Sequence, residues 1–142
     1  MSTGLRNLGK KEKGKLYLLD TNFLVDYLLG KDEFVAKFKG FSQTQLFVSS
    51  ITSCELISGA KEKDVSTMNE LLDSFIVLPI TDSLARKAGI TRAKLRNKGF
   101  KKPLADILIG QTAIEYNLIL VTGNLRDFPQ LKEKNLLLAF PE

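Results

Sequence analysis

Three acidic residues far apart in the chain stand out by their surroundings: Asp20, Glu55 and Asp106. Asp106 lies in Pro103-Leu104-Ala105-Asp106-Ile107-Leu108-Ile109-Gly110-Gln111-Thr112-Ala113-Ile114, a helical pattern that is apolar nearly all round. Its neighbours three, four and seven residues on are Ile109, Gly110 and Ala113. A buried, unpaired carboxylate is costly, so Asp106 must be neutral, hydrogen-bonded, paired with a cation from elsewhere, or bound to metal. Glu55 has Ile51, Thr52, Ser58 and Gly59 as helical neighbours. None is basic, so no local ion pair accounts for it, although alone it reads more simply as a solvent-facing Glu. Asp20 follows the apolar run Leu16-Tyr17-Leu18-Leu19 and reads equally as a site residue or as a cap of the next helix, for which Thr21 and Asn22 beside it are good residues too. Thr122, Asn124 and Asp127 follow Leu118–Val121. They form either a further polar group or an ordinary turn, in which Asp127 pairs with Arg126 or caps a helix near Pro129.

Converging carboxylates repel one another and raise their own pKa values. A hard divalent cation removes that conflict, and Mg²⁺ and Mn²⁺ take oxygen ligands. Such an ion activates water for attack on phosphorus, which suits phosphodiester hydrolysis. The chain contains no histidine, which excludes Ser–His–Asp and Cys–His catalysis and His-ligated zinc. The single cysteine, Cys54, reads as a small core hydrophobe.

From Arg86 to Lys102 the chain carries eight basic residues and no acid, ending just before Asp106. A solvated helix face is the plain reading, but the absence of acids weakens it. Phe100, within the run, suits stacking on a nucleobase. Arg92, Arg96, Lys101, Lys102 and Arg126 are the expected contacts to a phosphate-bearing substrate.

These residues need a frame. Strands are expected at 16–19, 46–48, 76–78, 118–121 and 136–139. Helices are expected at 22–29 (stopped by Gly30), 32–41, 52–60, 66–75, 82–97 with Asp82 as N-cap, and 103–116. Short strands apolar on both faces, alternating with helices, imply an α/β fold with three layers, α/β/α, around a central parallel sheet of about five strands. Ligands in such sheets bind beyond the carboxyl ends of the strands, where Asp20 and Thr122 fall.

With 142 residues, 44% hydrophobic and 26% charged, the chain suits one globular domain, expected over 16–142. Residues 1–15 read as a flexible basic arm. No apolar run is long enough to span a membrane, no secretory signal is evident, and one cysteine fits a reducing cytoplasm. The net charge of +5 tolerates a polyanionic partner without proving one. No P-loop or Gly-rich dinucleotide turn is present, and no second Asp stands two residues after Asp20, as a haloacid-dehalogenase-like phosphatase would have.

Taken together, four segments resemble a PIN domain of the VapC type, the toxin ribonucleases of toxin–antitoxin pairs. They are Leu18-Leu19-Asp20-Thr21-Asn22, Ser50 to Leu56, Leu104 to Ile109 with Ala113, and Val121-Thr122-Gly123-Asn124 with Asp127-Phe128. The resemblance covers about residues 16–140. It implies a PIN-like fold, Mg²⁺- or Mn²⁺-dependent endoribonuclease activity on RNA, a homodimer and a cognate antitoxin. By the same resemblance Asp20, Asp106 and Glu55 are the metal ligands, and Thr122 and Asn124 support the site. Many members carry a fourth acid two residues after the Thr. This chain has the uncharged Asn124 there, with Asp127 three residues further on. The competing expectation is a non-catalytic RNA-binding or scaffold PIN domain. Phe34, Phe38 and Phe41 are read as core residues, or else as part of a dimer surface.

Overall fold

A computed structural model describes residues 15–41, 46–132, 134 and 136–140. The expected arm at 1–15 lies outside the described residues except for the exposed Lys15.

Five parallel strands form one sheet in the order β3-β2-β1-β4-β5: β1 Tyr17–Leu19, β2 Leu46–Ser49, β3 Ile76–Leu78, β4 Ile119–Thr122 and β5 Leu137–Ala139. The helices are α1 Thr21–Leu28, α2 Asp32–Gly40, α3 Ser50–Gly59, α4 Val65–Asp73, α5 Asp82–Asn97, α6 Leu104–Tyr116 and the short α7 Pro129–Lys132, with 3-10 turns at Glu62–Asp64 and Leu125–Asp127. The three-layer α/β/α expectation holds, with the element ends shifted by a residue or two.

Alternation along the strands builds the layers. Leu18, Phe47 and Leu120 point to one face and pack with Ile109 and Ala113 of α6, Phe128 and Leu131. Their chain neighbours Leu19, Val48 and Val121 point to the other face and pack with Phe23, Leu24, Phe34, Phe41, Leu56 and Leu72 from α1 to α4. Phe34 and Phe41 are buried and Phe38 packs against the same cluster, so these rings are core. α5 docks on α6 through Ala88, Leu95 and Ile107.

Two local expectations need correction. Thr81, in extended conformation, is the N-cap of α5, and its hydroxyl accepts the Leu84 N–H at 3.1 Å. Asp82 is instead the first helical residue and pairs with Arg86 at 2.9 Å. Cys54 is exposed rather than core. On α3 the buried positions are Thr52 and Leu56, and a residue midway between them faces outward.

Strand order reverses at β1. The chain builds outward through β2 and β3, then crosses back to lay β4 on the other side of β1. The carboxyl ends of β1 and β4 flank this switch point, the place where open α/β sheets leave a crevice.

Candidate active site

β1 delivers Asp20 to the switch point. Its N–H still bonds Val121 O at 3.1 Å, so it continues the β1–β4 ladder, and it is 3% exposed. Asp20 occupies the N-cap position of α1, but its side chain makes no capping hydrogen bond further into that helix. Instead Oδ2 accepts the Thr122 hydroxyl at 2.7 Å. Thr122 Oγ1 in turn accepts the Asn124 N–H at 3.0 Å, so the hydroxyl donates to the carboxylate and accepts from the backbone. Burial pushes the Asp20 carboxyl above its ordinary range, and the charges of Glu55 and Asp127 add to this. The Thr122 hydroxyl and the Thr21 N–H act in the opposite direction.

Glu55 arrives on α3. Ser49 begins that helix by accepting the Ile51 N–H at 3.3 Å, while Thr52 and Leu56 anchor it to the core. Glu55 is half-buried, and its Oε1 accepts the Thr21 hydroxyl at 2.7 Å. Thr21 Oγ1 also sits 3.0 Å from Thr52 Oγ1. The partner of Glu55 therefore comes from the residue beside Asp20.

Asp106 lies in the first turn of α6, where free backbone N–H groups favour an anion. The helix is buried along Ile107, Ile109 and the residues to Ala113, but Asp106 itself is only half-buried, because it emerges at the sheet edge. Its carboxyl is pushed up to about 6, first by burial and then by Asp20, Asp127 and Glu55, with Lys102 opposing. Asp127 ends the 3-10 turn Leu125–Asp127. It pairs with neither Arg126 nor a helix end: Lys102 Nζ stands 3.5 Å from its Oδ1. Asn124 is exposed and contributes its backbone N–H.

Four carboxylates from four separate segments thus share one edge, and the other three each raise the pKa of Asp106. Among the described residues no three acids stand gathered as a ready ligand set. Glu55 is held by Thr21, and Asp127 leans on Lys102. Every acidic donor is a carboxylate oxygen, a set that fits a hard divalent cation of the Mg²⁺ or Mn²⁺ kind rather than a soft one.

The basic residues divide. Lys102, mostly buried, belongs to the acid cluster. Arg92 and Arg96 are exposed and line a groove of about 340 Å³ between α5 and α6, with Leu104 and Leu108 on its α6 wall. Asp106 points to the opposite side of that helix. Lys101 and Arg126 are exposed. The sequence reading missed Thr21 as the partner of Glu55, and with it Thr52. Thr52 stands three residues before Glu55 on one helix face, a visible signal, whereas the reach of Thr21 across 34 residues leaves none.

A family model described as the PIN domain matches residues 17–134. Ribonuclease VapC10 of Mycobacterium tuberculosis is 31% identical over 130 residues, covering 89% of this chain and 96% of that protein. The tRNA(fMet)-specific endonuclease VapC of Salmonella typhimurium is 29% identical over 120 residues, covering 81% of this chain and 91% of that protein. A solved toxin–antitoxin complex from Klebsiella pneumoniae contains a chain similar in fold, with a TM-score of 0.73 at 27% identity, covering 87% of this chain and 96% of that one.

Proposed function

The chain belongs to the PIN domain family, in its VapC-type branch, and from that membership we propose that it is a Mg²⁺- or Mn²⁺-dependent endoribonuclease, the toxin of a toxin–antitoxin pair. It acts as a homodimer in the cytoplasm and is neutralised by a cognate antitoxin. The observation that supports this reading is that Asp20, Glu55 and Asp127 all lie close enough to Asp106 at the switch point to add to the effect of burial, which pushes its carboxyl up to about 6. A site that concentrates unfavourable negative charge is suited to binding a cation. Among the described residues no helix is long and apolar enough to cross a membrane.

Asp20, Asp106 and Glu55 would hold the ion. When bound, it would supply an activated water and charge stabilisation for cleavage of an RNA phosphodiester. The residues of the chain do the rest. Thr122 fixes Asp20 through Oδ2, and Thr21 fixes Glu55 through Oε1, so each of these ligands has one oxygen tied and its carboxylate oriented. Lys102 places a positive charge beside Asp127 and Asp106, suited to a substrate phosphate.

Purified chain should cleave RNA with Mg²⁺ or Mn²⁺ and stop in EDTA. Asp20→Ala and Asp106→Asn should each lower kcat by at least about a hundredfold while leaving the fold intact. Cleavage that proceeds equally well in EDTA overturns the reading. Salt-sensitive RNA binding without any cleavage, indifferent to Asp106→Asn, would mark a non-catalytic RNA-binding PIN domain.

A further inference from the structure

Eight of the nine phenylalanines sit in, or pack against, the two main core clusters; Phe100 is in neither. It is 43% exposed, in the loop between α5 and α6. That loop is not slack. Gly99, at φ +88, turns the chain in the left-handed region, its N–H bonds Arg96 O at 3.0 Å, and the Phe100 N–H bonds Leu95 O at 2.8 Å. The two bonds close the end of α5 and present the ring on a fixed backbone. Lys102 Nζ stands 6.0 Å from the ring centroid and 3.5 Å from Asp127 Oδ1. The ring and the acid cluster are therefore neighbours across one ammonium group.

We propose that Phe100 and Lys102 form a nucleotide subsite, in which the Phe100 ring stacks a base of single-stranded RNA beside the bond lying at the acid cluster, and Lys102 neutralises the adjoining phosphate. The proposal rests on the ribonuclease reading and adds to it which residues grip the substrate. An aromatic face is the sequence-tolerant platform for an unstacked base, and a cation beside it suits the backbone. Lys98 and Lys101 lie close to Phe100 in sequence and are exposed. Lysine is depleted at protein interfaces, so this setting favours a polyanion over a protein surface as the occupant. Phe loses only two torsions on ordering, and here the backbone is already fixed, so stacking costs little further ordering.

The chain has no tryptophan, so Phe100→Trp supplies a single indole reporter. In the Asp106→Asn background, which leaves RNA uncut, oligo(A) should quench that indole saturably while binding nearly as tightly as it does with Phe100 in place. Phe100→Ala should weaken oligo(A) binding about tenfold with Tm unchanged, within the range of one lost base stack. An abasic oligonucleotide of the same length, with phosphates but no bases, should bind the parent and the Phe100→Ala chain alike. Lys102→Gln should weaken binding of both oligonucleotides. An indole left unquenched at saturating oligo(A), or a Phe100→Ala chain that binds oligo(A) as the parent does, overturns the subsite. So does a Phe100→Ala chain whose sedimentation changes while its RNA affinity does not, because the ring then belongs to a protein interface. A parent chain that neither binds nor cuts RNA removes the ribonuclease reading itself. A parent that cuts RNA regardless of Phe100 removes the subsite alone.

Discussion

Ionising Asp106 is unfavourable in the folded chain, and the sign of that effect is open to measurement. Its carboxyl titrates at about 6 in the native state against an ordinary 3.8, so between those values the native state holds more protons than the unfolded chain. Stability in EDTA should therefore fall as pH rises through about 4 to about 6, and the contribution of this group is most favourable below that window. Asp106→Asn removes the charge. It should flatten the slope and raise Tm at neutral pH in EDTA by a few degrees, as calorimetry would read. A variant no more stable than the parent there would mean that burial and repulsion do not act on Asp106 as described. The threonines make a second residue-level case. Thr21→Val deletes the hydroxyl that holds Glu55 but keeps the shape. It should lower kcat about tenfold, the scale for groups that orient ligands, while Thr21→Ser should stay near the parent. Equal loss in both variants would assign the effect to packing.

Secondary elements were the more legible level. Apolar runs such as Leu46–Val48 and Ile76–Leu78 announced strands, and the parallel sheet followed from the intervening helices, although Val77 of the edge strand β3 is exposed, so that run is not covered on both sides. Residues placed by chain direction alone were legible too: Asp20 and Thr122 had to stand at strand ends, and they meet there. Pairings that depend on how elements pack were not. Nothing local links Thr21 to Glu55 or Lys102 to Asp127, and the pairing of Asp127 with Arg126 looked simpler because it was adjacent. The start of α5 shows the same limit at short range, since Thr81 and Asp82 are both good caps and only the extended backbone at Thr81 decides between them. Thr81→Ala should therefore cost about 1 kcal/mol of stability by denaturant unfolding, whereas Asp82→Ala should cost only a few tenths. The reverse order would restore Asp82 as the cap.

For the molecule as a whole, a net charge of +5 coexists with an acid cluster at the catalytic edge, so attraction of a polyanion depends on where the cations lie. RNA affinity of the Asp106→Asn chain should fall steeply with added KCl. Replacing Arg92 and Arg96 with Gln should reduce the log–log slope by roughly 0.7 for each phosphate no longer neutralised. A slope unchanged by both replacements would take the α5–α6 groove off the path of the RNA. The strand order also governs how the site forms. Asp20 meets its Thr122 partner across 102 residues, and Asp106 lies between them in sequence. The first acid thus belongs to the first strand, while Asp106 and Thr122 come from α6 and β4, the elements that return to pack beside it. Until β4 pairs with β1, Asp20 has neither the Thr122 hydroxyl nor its ladder bond to Val121 O, so the acid edge cannot be put together from the first half of the fold alone.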